Sequence, residues 1–270
     1  MKVGIFGCKG TTKFLIESLI WRYKIDYLIT IDKDKGDRFS VADYCDLREF
    51  AEKNNIEVYD AKRYNLSADI SNIVDLNIDI AFVVGWQRLI PSAILENMSI
   101  GAFGMHGSSM DLPLGRGRSP MNWSILEGRK CYYANLFKYD AGADSGNILD
   151  TFKFNITDND TGETMHFKQT LAMIRMIENN FYDLMDNNIT LKKQKDVTPT
   201  YYPKRCPSDS LIDWDMDVND LDRFIRAVTK PFNGAYCYTS KPLCSKVIIY
   251  NSQIFDTLDL VMNKKKMVRL

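Results

Sequence analysis

The run Ile78-Asp79-Ile80-Ala81-Phe82-Val83-Val84 constrains the fold more than any other part of the chain. It is nearly continuous in β-branched and aromatic residues, and too short for an ordinary helix. A strand of this kind must be covered on both faces, as in a parallel sheet flanked by helices. The neighbouring residues supply the pattern such a sheet needs. Residues 2–6 form another apolar run that ends at Gly7, after which Thr11 or Thr12 can cap a helix through Arg22, with Phe14, Leu15, Leu19 and Ile20 on one face. Residues 26–31 predict a strand and 41–54 a helix. Residues 91–96 predict a short helix with proline in its first turn, and 101–103 a further strand. This alternation implies an α/β fold class, a Rossmann-like, doubly wound, mostly parallel sheet with right-handed crossovers.

Past residue 119 the period changes. Residues 120–126 predict a helix, 131–139 and 147–154 strands, and 162–185 a long helix. A polar, proline-bearing stretch at 192–207 reads as a linker, with a helix at 217–228 and one or two strands at 246–255 beyond it. The expected organisation is a large domain at 1–191, the linker at 192–207, and a smaller C-terminal α+β domain at 208–270.

Charge and cysteine usage narrow the function classes. The 35 basic residues balance 35 acidic ones, so nothing marks a nucleic-acid partner, which usually shows as a basic surplus. The basic run at 264–266 reads as a solvated, mobile tail. Six cysteines lie scattered without a C-x-x-C pair, so no zinc or redox motif is present and no metal is expected. No apolar run approaches the ~18 residues that suggest a membrane span, and the first strand is too short for a signal peptide. The expected location is the cytoplasm.

Three stretches can carry chemistry. Gly4-x-x-Gly7-x-x-Gly10 follows the first strand without the spacing of a dinucleotide fold, and reads as a tight strand-to-helix turn. His106, one of two histidines, stands just beyond a predicted strand, at the carboxyl edge where open α/β sheets bind ligands. The loop after it is rich in Gly, Ser, Pro and Arg, which allows close backbone approach and supplies fixed donors. Position alone leaves His106 open between a site residue and a satisfied turn residue; His166, on the long helix, reads as structural. Between two later strands, Asp140 and Asp144 stand among small residues, as either a hairpin turn or a pair of site acids.

In order along the chain, these motifs resemble the folate-dependent formyltransferases, the family that includes methionyl-tRNA formyltransferase and the sugar N-formyltransferases. Its signature runs Asn-x-His-x-Ser, then Leu-Pro-x-x-Arg-Gly-x-x-Pro, then Asp-x-Gly. Here His106-Gly107-Ser108, Leu112-Pro113-Leu114-Gly115-Arg116-Gly117-Arg118-Ser119-Pro120 and Asp144-Ser145-Gly146 match. Gly85-Trp86-Gln87-Arg88-Leu89-Ile90-Pro91 resembles the loop lining the folate pocket. Ile212-Asp213-Trp214 and Phe224-Ile225-Arg226-Ala227 resemble the entry to the C-terminal domain.

The resemblance implies that His106 and Asp144 are catalytic, His106 moving protons and Asp144 orienting it, with 10-formyltetrahydrofolate as co-substrate. It implies folate contacts from Gln87, Arg88, Leu89, Ile90 and Arg118, and from Asp140, Ala141, Gly142 and Ala143. The family's asparagine, two residues before the histidine, aligns with Gly104, and two extra residues separate His106 from Pro113. Losing an oxyanion donor costs about 10²–10³ in turnover; Asn122, Gln87 or a backbone N–H near Gly104 are the candidate replacements. Within the family the likeness is strongest to nucleotide-sugar N-formyltransferases, which implies a nucleotide-linked amino sugar as acceptor and a homodimer. Arg116, Tyr202, Lys204 and Trp214 are the candidate contacts to that acceptor. The alternatives are methionyl-tRNA formylation and a non-catalytic folate- or nucleotide-binding remnant.

Overall fold

The computed structural model describes residues 1–140, 142–240 and 244–254. In chain order the elements are β1 (Val3–Phe6), α1 (Gly10–Leu19), β2 (Tyr27–Thr30), α2 (Lys33–Arg38), α3 (Arg48–Lys53), β3 (Glu57–Asp60), α4 (Ile70–Asp75), β4 (Ile80–Val83), α5 (Ser92–Asn97) and β5 (Gly101–Ser108). They continue as β6 (Arg116–Gly117), α6 (Pro120–Leu126), β7 (Cys131–Lys138), β8 (Ile148–Asn155), α7 (Gly162–Met185), β9 (Tyr201–Tyr202), a 3₁₀ turn (Pro207–Ser210), α8 (Val218–Val228), β10 (Ala235–Tyr238) and β11 (Lys246–Ile249).

Seven strands form the central sheet in the order β3-β2-β1-β4-β5-β7-β8. The first five run parallel, β7 is antiparallel to β5, and β8 is antiparallel to β7. The fold class is therefore the expected one, with a smaller C-terminal part. The buried run over β4 has helices on both sides. One core joins Ile5, Leu28, Phe82 and Phe103 to α1, α3 and α7, and the other joins Phe6, Ile29, Ala81 and Val83 to α4 and α5. A third core places Leu221, Phe224, Ile225 and Val228 of α8 against Met121, Ile125 and Met165. Among the described residues no helix is long and apolar enough to cross a membrane.

Three expectations need correction. The helix expected over 41–54 is only α3, with α2 lying earlier. Ser40 and Asp43 adopt left-handed φ values of 47° and 58° that no helix continues through, and the Asp32 side chain caps α2 by accepting from the Lys35 N–H. The strand expected over 101–103 runs to Ser108, because its far half is paired antiparallel with β7 as far as Ser108↔Tyr133. His106 thus sits within the sheet. The strand predicted to reach residue 255 ends at Ile249 in β11, and residues 255–270, including the basic run at 264–266, lie outside the described part.

Candidate active site

Alternation along β5 sends Ala102, Gly104 and His106 to one face, opposite Phe137 and Asn135 of β7. The imidazole of His106 is buried, 7% exposed. Its Nε2 lies 2.8 Å from the Gly115 carbonyl oxygen, and its Nδ1 lies 3.5 Å from Asp144 Oδ2. Both ring nitrogens thus face oxygen acceptors. A neutral imidazole has one N–H to give, so the bond to Gly115 leaves Nδ1 as the acceptor position, and a proton arriving there meets the carboxylate. Asp144 holds a left-handed φ of 54°, a conformation that aspartate tolerates better than most residues, and its Oδ2 also accepts from the Gly117 N–H at 3.3 Å.

The two loops that meet at this imidazole, at Gly115 and at Asp144, are fastened from a distance. Gln194 Nε2 donates to the carbonyl oxygens of Asp144 and Gly146, both at 2.8 Å, and its Oε1 accepts from Arg116 Nη2 at 2.6 Å. The Gly115 N–H donates to Thr200 Oγ1 at 2.8 Å, and β6 pairs parallel with β9. Gly146 packs against the backbone carbonyl of Lys138 so closely that no side chain fits. The turn therefore cannot drift from the end of β7.

The strand order reverses between β1 and β4, and the crevice beyond their carboxyl ends is where such sheets take ligands. The Gly4, Gly7 and Gly10 stretch forms the tight turn from β1 into α1, with Thr12 Oγ1 donating to the Val84 carbonyl at 2.6 Å. Burial pushes the Lys9 amine down from its ordinary range and the Cys8 thiol up, and the charge of Arg118 pushes Lys9 further. Two cations thus share this edge with the acid Asp43. A cavity of about 270 Å³ beside them is lined by Gly10, Phe14, His166 and Phe167.

The remaining candidates fall on three parts of the surface. Gln87, Arg88 and Leu89 are exposed beyond β4, while Ile90 is buried. The Arg88 guanidinium lies 4.8 Å from the Tyr64 ring centroid. Among the described residues, the backbone groups of Leu89 and Ile90 have no hydrogen-bond partner, so their polar edges are free for a flat heteroaromatic ligand. Asp140 Oδ1 accepts from the Gly142 N–H at 3.0 Å and from Ser145 Oγ at 2.6 Å, shaping the turn. Arg118 and Ala143 are exposed, and Ala141 lies outside the described residues. Lys204 and Trp214 are exposed on the approach to α8.

Two acceptor contacts expected from the sequence turn inward instead. Arg116 is buried between Gln194 and the Tyr201 hydroxyl, 3.4 Å from Nη1. Tyr202 is buried, bonded through its hydroxyl to Glu127 at 3.0 Å and stacked on Trp123. Their polar groups are committed within the chain. Asn122, a candidate oxyanion donor, is likewise occupied, donating to the Ala227 carbonyl at 2.7 Å. Sequence reasoning missed Lys9, Asn135, Gln194 and Thr200. The available signals were a lone amide in the apolar run of β7 and a lysine between Gly7 and Gly10, at the start of α1.

Residues 24–175 match the family model described as formyl transferase, and residues 206–259 match that of the formyl transferase C-terminal domain. The bifunctional polymyxin resistance protein ArnA of Wigglesworthia glossinidia brevipalpis is 32% identical over 202 residues, covering 75% of this chain and 30% of ArnA. The chain thus spans less than a third of that relative's length. Among solved structures, an N-formyltransferase from Helicobacter canadensis in complex with folinic acid and dTDP-3-aminofucose superposes with a TM-score of 0.66 at 21% identity, over 86% of this chain and 82% of that one. A sugar N-formyltransferase from Shewanella sp. FDAARGOS_354 superposes with a TM-score of 0.69 at 18% identity, over 95% and 99% of the two chains.

Proposed function

The chain belongs to the formyl transferase family, and on that premise we propose that it transfers a formyl group from 10-formyltetrahydrofolate to the amine of a nucleotide-linked amino deoxysugar. The observation that carries this reading is the pairing of buried His106 with half-buried Asp144 at the ligand edge of the sheet. The backbone of Leu89 and Ile90, beyond β4, is unpartnered among the described residues, and Asp140 shapes the turn that leads to Asp144. Those backbone groups suit the edge of a pterin, and the folate supplies an acyl carbon already activated for attack.

In the reaction the amine nitrogen bonds to the formyl carbon, and the carbonyl electron pair moves to oxygen. His106 takes the amine proton, and Asp144 faces the imidazolium that results. The pair on oxygen then returns, the bond from the formyl carbon to the folate nitrogen breaks, and His106 returns the proton to that nitrogen. The products are a sugar formamide and tetrahydrofolate. Such acid–base help contributes roughly 10²–10⁴-fold.

The acceptor assignment rests on Lys9 and Arg118, whose charges suit a diphosphate, and on a chain with no basic surplus for tRNA. Lys204 and Trp214 are the outer contacts in this reading. We assign the chain to the cytoplasm as a homodimer, acting in the synthesis of a formylated surface polysaccharide. The test is to mix the protein with 10-formyltetrahydrofolate and UDP- or dTDP-linked amino sugars, and to follow tetrahydrofolate release. Release that His106→Ala abolishes is expected. No release with any sugar, or formylation of methionyl-tRNA at comparable efficiency, would sink the proposal.

A further inference from the structure

The centre described so far has a proton carrier and its acid but no assigned group to meet the charge that develops on oxygen. We propose that the Tyr139 hydroxyl is the oxyanion donor of this active site, standing in the place that a side chain at Gly104 would occupy. The inference rests on the formyl-transfer reading.

Gly104 and His106 are two residues apart on β5 and share a face, so the space above Gly104 adjoins the imidazole. That space is filled by Tyr139. A β-carbon built on Gly104 would lie 2.5 Å from the Tyr139 hydroxyl oxygen and 2.6 Å from its Cζ, so the glycine is what admits the phenol. Tyr139 follows directly on β7, where its N–H donates to the Ala102 carbonyl at 2.7 Å. Its ring stacks on Phe137 with centroids 5.3 Å apart and planes 24° apart. The side chain is half-buried and held from two sides, which is what a preorganised donor requires.

Its proton is also unspent. Among the described residues, no hydrogen bond involves the Tyr139 hydroxyl. Nor is it sealed in, since the enclosed side-chain atoms lacking a partner belong to Thr30, Trp86, Arg116, Asn135 and Arg205. Burial pushes the phenol up from its ordinary range and the charge of Asp144 pushes it further, so it stays a neutral O–H at working pH. The replacements considered from the sequence fit less well. Asn122 is bonded to Ala227, Gln87 lies exposed beyond β4, and Gly104 sits in the ladder between Val83 and Phe137.

One rival stands nearby. Asn135, opposite His106 in the register, has a buried Nδ2 without a partner, while its Oδ1 accepts from Thr151 Oγ1 at 2.7 Å. It is fully enclosed, with no exposed surface through which to reach a ligand, and the test separates the two.

Tyr139→Phe keeps the ring and removes only the donor. The expected result is a fall in kcat of about 10²–10³ with both KM values within about threefold of wild type, since the lost interaction exists mainly in the transition state. A second readout needs no turnover, namely the infrared carbonyl stretch of bound 5-formyltetrahydrofolate labelled with ¹³C in the formyl group. Wild type should lower that frequency relative to water and Tyr139→Phe should return it. Gly104→Asn alone should clash with the ring and lose activity, whereas Gly104→Asn combined with Tyr139→Ala opens room for an amide and should recover part of the rate. Tyr139→Phe turnover within about threefold of wild type would overturn the assignment, as would a carbonyl shift absent in wild type or removed by Asn135→Ala alone. If no amino sugar supports turnover but Tyr139→Phe still abolishes the carbonyl shift, the donor assignment stands and the acceptor reading falls.

Discussion

Replacing Gln194 with alanine should loosen the candidate site without touching His106 or Asp144. The side chain makes three bonds, two donated to the carbonyls of Asp144 and Gly146 at 2.8 Å and one accepted from Arg116 at 2.6 Å. Neutral bonds contribute about 1 kcal/mol each and a charged one about 1.5–3 kcal/mol. Arg116 already has a buried Nε without a partner, so losing a second bond strands more of its charge. Gln194 is only half-buried, and water entering its place recovers part of the loss, leaving a net cost of about 2–3 kcal/mol. At about 2–4 °C per kcal/mol for a chain of this size, Tm should fall by about 5–10 °C. Asp144 would no longer be held against Nδ1, and a misplacement of about 1 Å can cost about 10² in rate, so kcat should drop at least tenfold. Thermal melts and steady-state tetrahydrofolate release measure both. Gln194→Glu should keep the pairing with Arg116 yet fail to restore kcat, because a carboxylate cannot donate to the two carbonyls. A Tm unchanged within about 1 °C together with wild-type kcat would refute the reasoning, and would mean that the β6–β9 pairing alone holds the turn.

Further outcomes follow from other parts of the site. Asp144→Asn preserves shape but removes the charge facing Nδ1, and should lower kcat by about 10²–10⁴ while leaving Tm near wild type, as read by steady-state kinetics and melting. Burial pushes His166 down from 6.5 to about 4. Because the folded value lies below the unfolded one, the stability linked to this group is full above pH 6.5 and declines as pH falls toward about 4. His166→Gln should flatten that decline in urea midpoints measured across the same window. Asn122→Ala leaves the Ala227 carbonyl unpaired and should cost about 1–3 kcal/mol in denaturant unfolding, with kcat unchanged; a large loss of kcat would return Asn122 to the reacting centre.

The elements that could be read from the sequence are those whose reasons are local. α7 runs over the expected 162–185 because Thr161 and Thr164 build a capping box at its start, and α6 begins where Pro120 can open a helix. β3 and α4 escaped because their reasons are not local. Glu57–Asp60 is an edge strand with no fully buried residue, so it lacks the apolar run that gave away β4. The length of β5 is set by β7, some thirty residues later, and so the sequence pattern placed His106 outside the strand that holds it. The His106–Asp144 pair was legible through motif order. The direction of Arg116 and Tyr202 was not legible, because a polar side chain beside a ligand loop looks the same whether it points outward or inward. Only the distant partners Gln194 and Glu127 decide the direction.

The pairing of β6 with β9 bears on how this chain can be cut or recombined. The peptide that brings the Gly115 carbonyl to His106 is stitched to Thr200 and Tyr202, residues that lie past the boundary drawn at 191. A fragment stopped there would keep both His106 and Asp144 and lose the seam that sets their spacing. Exchanging the C-terminal segment for that of a relative, in order to change the acceptor, would therefore have to leave residues 194–202 behind with the first part of the chain. Grafts made upstream of Gln194 would alter selectivity and catalytic geometry in one stroke.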